Sequence, residues 1–284
     1  MTTFQEIPED SDFIQGDLIE NITQNPNEKI IGMILNADCD IAQKRWGSNF
    51  SWISIIPAID YLNEIWSAEQ CRSLWNEKRV KNFLSDTNSF LHKKNPEFSE
   101  IDIAALLEWF RSYTTTTEFF SAIGKTPSQS EELDADFIRL AFNIQCSGMS
   151  PGDRIRKIWE ITHKKPCEIN KKLQNALIKT DGFPDFFFLP TMPNKDSNGF
   201  VALLRTINSS PHNRLFKTEV DARINTVSDQ PAFFRFGRLT DAVRYQVVQK
   251  LTFLFSRIGS HPKFEDACNT SAALAASAYT KKAA

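Results

Sequence analysis

Nowhere do the 284 residues string together the roughly 18 uninterrupted apolar side chains that a membrane-crossing helix needs, so no spanning segment is expected. The opening stretch, MTTFQEIPEDSDF, is acidic where a secretory leader would be basic and then apolar. Cysteine is scarce and scattered: Cys39, Cys71, Cys146, Cys167 and Cys268 form no C-x-x-C pair. That fits reduced thiols in a cytoplasmic protein better than a disulfide framework or a cysteine-rich zinc site. Histidine is scarcer still. None of His92, His163, His212 and His261 is spaced to serve as a base for Cys39, there is no H-E-x-x-H, and Pro166 spoils the helical pairing of His163 with Cys167. Neither G-x-x-x-x-G-K-[ST] nor G-x-G-x-x-G occurs, which removes the common phosphate-cradling loops. No internal repeat is evident, and no cofactor is expected.

What the chain does have is phenylalanine. Its 23 Phe stand against 4 Tyr and 6 Trp, and 41% hydrophobic with 24% charged residues is the balance of a chain with a real interior. Net charge is only -2, but residues 1–43 carry nine acids against Lys29 alone, while residues 203–263 carry ten basic side chains against four acids. Such asymmetry lets the two ends attract each other, or lets the basic end meet an anionic partner.

Strand-like runs come first: FIQGDLIENI, KIIGMILNADCDI and NFSWISIIPAI, with Pro57 expected at the end of its strand, where a missing N–H costs nothing. From Ser67 the period becomes helical. Ser67 reads as an N-cap with Gln70 in the capping-box position, Ser99 with Asp102 repeats the signature ahead of an Ile103, Leu106, Leu107, Phe110 stripe, and Ser150 precedes Pro151 and Asp153. FPDFFFLP and GFVALLRTI then read as a hairpin. A last helix follows, its face formed by Leu239, Val243, Val247, Leu251, Leu254 and Ile258, with Gly259 as its stop.

Neither set of strands is large enough to stand alone. The expected fold is therefore α+β: a small composite SH3-like barrel or sheet built from both chain ends, residues 1–62 plus 179–263, with a C-terminal helix. Residues 63–178 form a helical insertion and 264–284 a tail.

The segment NADCDIAQ is the best candidate for chemistry. If a strand runs on through it, Asp38 and Asp40 share one face and Cys39 packs inward, and two converging carboxylates can move a proton, hold a divalent cation or accept from arginine. Asp17 joins them if the first two strands pair. The candidate catalytic residues are therefore Asp17, Asp38 and Asp40, and the candidate binding residues are Gln15, Cys39, Arg45, Arg235, Arg238, Arg244 and Arg257. The bland alternative makes Asp38 and Asp40 turn caps and Cys39 core. Between residues 153 and 172, seven basic side chains face three acids, a surface that would attract phosphate or remain a solvated helix face.

The motif GDLI (Gly16 to Ile19) followed by IIGMILN (Ile30 to Asn36) resembles the opening strands of the PemK/MazF-like toxins. The resemblance covers about residues 13–58 and implies an SH3-like barrel. It does not carry over ribonuclease activity, because an arginine that helps cleave RNA in that family is replaced here by Glu28, Lys29 and Ile30. The function expected is an intracellular, bacterial-type interaction or regulatory protein with a protein partner and no membrane. The alternative is a nucleic-acid binder or metal-dependent phosphodiesterase acting through Asp17, Asp38 and Asp40.

Overall fold

The structure, a computed structural model, describes residues 2–8, 11–23, 29–178, 185–225, 231–255 and 270–271. The expected Arg257, Ile258 and Gly259 helix end lies outside the described residues, as does the tail apart from residues 270–271.

The chain opens with β1 (Asp17–Asn21) and β2 (Ile31–Ile34), each buried along its whole length, then a short helix α1 (Asp38–Ala42) and β3 (Asn49–Pro57). Helix α2 (Ala58–Asp60), a π-helix over Tyr61–Trp66 and α3 (Ser67–Ser73) run on without a break. After a 3-10 turn at Leu74–Asn76 come α4 (Lys78–Lys94), α5 (Ile103–Ser112), α6 (Thr116–Ile123), α7 (Gln129–Ala141), α8 (Pro151–Ile161) and α9 (Pro166–Ile178). Strands return as β4 (Phe186–Leu189), β5 (Phe200–Pro211) and β6 (Leu215–Phe216), followed by α10 (Glu219–Ile224), β7 (Phe233–Arg238) and α11 (Asp241–Phe255). No helix of the described residues is long and apolar enough to cross a membrane.

Two compact units result. One comprises Met1–Ser54, Thr180–Phe187 and Ala202–Ala284; the other comprises Ile55–Lys179 and Phe188–Val201. The sheet has seven strands in the order β4-β5-β3-β2-β1-β7-β6. β1 pairs antiparallel with β2 on one side and with β7 on the other, while β6 runs parallel to β7.

This sheet is open, which overturns the expected SH3-like barrel. Closure would need the two outermost strands to pair with a matching stagger. Here the edges are β4, of four residues, and β6, of two, and such short edges offer little template for unwanted pairing. In the first unit Ile19, Ile34, Phe50, Trp52 and Phe233 pack into one apolar cluster, with the Phe50 and Phe233 rings edge to face at 5.9 Å.

The helical unit has its own interior, in which Phe83, Phe110, Phe119 and Phe120 stack and tilt against one another, Phe110 and Phe119 at 4.3 Å. Its helix starts follow capping chemistry. Ser128 with Glu131, Thr115 with Glu118 and Ser150 with Asp153 form capping boxes, the last with Pro151 in the first turn as expected. Two expected starts are corrected. Ser67 is no cap but lies inside a continuous helix, its hydroxyl donating to the Leu62 carbonyl at 2.6 Å, and α5 is capped by Asp102 itself, which accepts from the Ala105 N–H at 2.8 Å.

Candidate functional site

The sequence-predicted residues other than Arg257, which lies outside the described residues, lie in the sheet unit. Asp17 sits at the start of β1, fully buried and opposite Arg238 of β7. Arg235 and Arg238 are three residues apart, so an even strand would send them to opposite faces. The register shifts between Leu18 and Ile19, which face Gly237 and Arg235, leaving Phe236 as an extra residue. This bulge turns both arginines toward Asp17. Arg238 binds it with a fork, Nε to Oδ1 at 2.5 Å and Nη2 to Oδ2 at 3.1 Å, while Arg235 Nη1 reaches Oδ2 at 3.3 Å and the Ile14 N–H donates to Oδ2 at 3.0 Å. Both guanidinium groups also donate to the Asp12 carbonyl, Arg235 donates to that of Ser11, and Arg235 lies over the Phe13 ring at 5.1 Å. Segment 11–17 is thereby stapled to β7.

A second staple holds Asp38. Its Oδ1 accepts from the Gln15 N–H at 2.7 Å and its Oδ2 from Arg244 Nη1 at 2.8 Å, and the same Nη1 donates to the Gln15 carbonyl at 3.1 Å. The Gln15 side-chain amide donates to the Leu35 carbonyl at 2.7 Å. Gly16 makes this closeness feasible: its φ is +89°, and a Cβ there would stand 2.8 Å from the Arg244 Cβ. Burial opposes the charge on Arg244, but Asp38, Tyr245 and Asp241 outweigh it and hold its pKa above the ordinary arginine value.

The remaining candidates do not join these staples. The chain becomes helical at Asp38, so Asp38 and Asp40, two residues apart, project in different directions instead of converging as on a strand. Cys39 is exposed rather than packed inward, with its Sγ 3.8 Å from Asp40 Oδ1. Arg45 is exposed, and its backbone N–H donates to the Asp40 carbonyl. Among the described residues no three His, Cys, Asp or Glu side chains are grouped to hold a metal ion.

The helical unit holds a site of another kind. An open groove of about 840 Å³ is lined by Leu62 and Trp66 of the π-helix, Ile155 and Trp159 of α8, and Ile169 and Leu173 of α9, with Arg156, Lys164 and Lys165 among the residues around it. The π-helix and α8 pack closely because Gly152 has no side chain; a Cβ there would meet Asn63 Oδ1 at 2.6 Å. Arg156 donates to that same Asn63 oxygen at 3.0 Å and to Asp153 at 2.7 Å. Lys172 stands over the Trp66 ring at 5.6 Å. Its pKa is lowered, first by burial and then by Lys164, against the pull of Glu77. Helix α9 has no fully buried residue and contributes its apolar stripe to the groove. Arg154, part of the same basic stretch in sequence, points inward instead and donates to the Leu140 carbonyl at 3.0 Å.

The basic character of residues 153–172 was legible in the sequence, but the two tryptophans were not recognised as partners. Trp66 and Trp159 lie far apart along the chain, with ring centroids 6.2 Å apart in the fold. The i, i+4 pairs Leu62/Trp66, Ile155/Trp159 and Ile169/Leu173 were the readable signal.

Neither protein-family models, curated proteins nor solved structures give a match to this chain. The structure overturns the likeness to the PemK/MazF-like toxins: no solved structure of that fold matches, and the sheet is not a barrel. The bacterial-type assignment that accompanied it finds no support either.

Proposed function

We propose that this is a binding protein, not a catalyst, and that the groove along the π-helix takes hold of a protein partner. The observation that carries the reading is the groove itself: an apolar floor with two tryptophans, a basic rim, and a π-helix forming one wall. π-Helices are rare and are frequently found at functional sites. Tryptophan and arginine dominate the energetics of partner recognition.

The phosphodiesterase reading is less well supported. Asp17 and Asp38 are each engaged by arginine and backbone donors, and their geometry suits holding the chain together better than activating water. The test is affinity capture from an extract of the source cells with three baits: the wild type, the double variant Lys164→Glu/Lys165→Glu, and Val220→Asp on exposed α10. The expected result is a protein retained by the wild type and by Val220→Asp but lost by the double variant. Identical captures by all three, or metal-dependent cleavage of RNA that Asp38→Ala abolishes, would overturn the proposal.

A further inference from the structure

We infer that the occupant of the groove is an acidic amphipathic helix presented by the partner; this rests on the reading of the groove as a docking site. The walls come from helical segments, each carrying an i, i+4 pair: Trp66 and Ile155 are buried at the base, and Leu62, Trp159, Ile169 and Leu173 are half-buried along the walls. Such pairs form ridges with grooves between them, the surface into which the side-chain ridge of another helix packs. An apolar stripe is what this floor would remove from water.

The rim supplies the charge requirement. Lys164 and Lys165 line the groove just before α9 begins, and Lys172, on α9, stands over the Trp66 ring. Among the described residues these three lysines hold no ion pair, and the charge of Lys164 bears on Lys172 more strongly than the opposing pull of Glu77. Arg156 is partly neutralised by Asp153, and Glu160 is the acid in the lining. Carboxylates flanking an apolar stripe would relieve the lysine repulsion and, by like-charge exclusion, keep basic helices out.

Nucleic acid fits less well. The rings of Trp66 and Trp159 are tilted by 49° and already lie against each other, so they do not form an open slot for a base, and Glu160 opposes a phosphate.

The probe is a fluorescein-labelled peptide of about 16 residues with leucines at i, i+3, i+7 and i+10, four glutamates beside that stripe, alanines elsewhere and a side-chain staple on the far face, its helicity checked by circular dichroism. Binding is read by anisotropy on the full chain, beside three other probes: the same peptide with lysine for glutamate, sodium dodecanoate and a uridine dodecanucleotide. The acidic peptide is expected to bind the wild type, to weaken by about tenfold or more on Lys164→Glu/Lys165→Glu, and to weaken as salt rises. The lysine peptide should show the reverse preference for the double variant. Since both substitutions are on exposed side chains, the circular dichroism spectrum of the variant is expected to match the wild type.

Acidic-peptide binding that is indifferent to the charge reversal overturns the inference. So does binding of dodecanoate or the oligonucleotide in place of the peptide. If the acidic peptide fails while charge reversal still abolishes capture of the cellular partner, the helix chemistry is wrong and the docking site stands. If capture too is unchanged, both fall.

Discussion

Replacing Asp17 by asparagine keeps the shape of the side chain and removes the charge on which two buried guanidinium groups converge. In the native structure the carboxylate receives the Arg238 fork at 2.5 and 3.1 Å, Arg235 at 3.3 Å and the Ile14 N–H at 3.0 Å, and the side chains of Asp17, Arg235 and Arg238 are 0%, 2% and 8% exposed. An asparagine amide retains one acceptor oxygen and turns its NH2 toward donors. Breaking a buried ion pair by removing one partner typically costs about 3–5 kcal/mol. Both arginines keep acceptors in the Ser11 and Asp12 carbonyls, which places the expected loss at the lower end, about 3 kcal/mol. Equilibrium unfolding in urea should show a lower midpoint with an unchanged slope. In a heating experiment, at about 2–4 °C per kcal/mol, the melting temperature should fall by roughly 6–12 °C. A double-mutant cycle with Arg238→Gln should return a coupling of about 1 kcal/mol or more. A loss from Asp17→Asn below about 1 kcal/mol would refute the view that this cluster holds segment 11–17 to the sheet.

Other consequences follow from the same geometry. Asp38→Ala leaves the Gln15 N–H without its acceptor and takes one of two carboxylates from the buried Arg244, which keeps Asp241 at 3.0 Å, and should cost about 1–3 kcal/mol, whereas Asp40→Ala should stay within about 0.5 kcal/mol; paired urea titrations would show whether the two acids differ in this way. Gly16→Ala puts a Cβ against Arg244 at a φ of +89° and should destabilise by about 1–3 kcal/mol, measured by the same titration. The Glu131 carboxyl, hydrogen-bonded to Lys125 and to the Ser128 N–H, has its pKa lowered to about 2. Because the folded value lies below the unfolded one, its contribution is present above the ordinary carboxylate range and is lost as pH falls toward about 2; an NMR titration showing a Glu131 midpoint near 4 would contradict this. Exposed Cys39 and Cys167 should be alkylated in the native protein before Cys71 and Cys146, whose pKa values burial raises, with peptide mapping as the readout.

The parts of the fold that follow local rules could be read ahead. β1, β2 and β3 coincide with the apolar runs, Pro57 ends its strand, Ser150 caps α8, and Val247 and Leu254 are buried on α11. β7 could not be read in this way. Its buried positions include Arg235, Gly237 and Arg238, none of them apolar side chains, so a reading by hydrophobic alternation passes over it. Whether the sheet closes depends on strand pairs distant in sequence, which no local pattern encodes.

At the candidate site the residues were legible but their relations were not. Asp17, Asp38, Gln15, Arg235, Arg238 and Arg244 do come together, as two separate staples in which carboxylates meet arginines instead of each other. Helix formation at Asp38, on a segment read as the end of a strand, is what separates Asp38 from Asp40 and exposes Cys39. The groove needed the fold, because its three walls come from segments that only tertiary packing brings side by side.

Chemical-shift mapping with the acidic helical peptide asks directly whether recognition lies in the helical groove and the arginine staples serve as scaffold. The indole N–H signals of Trp66 and Trp159 and the amides of residues 164–173 should move on titration, while those of Gln15, Gly16, Asp38 and Arg244 stay in place. Shifts confined to the Asp38–Arg244 neighbourhood, with both indoles unchanged, would contradict the account.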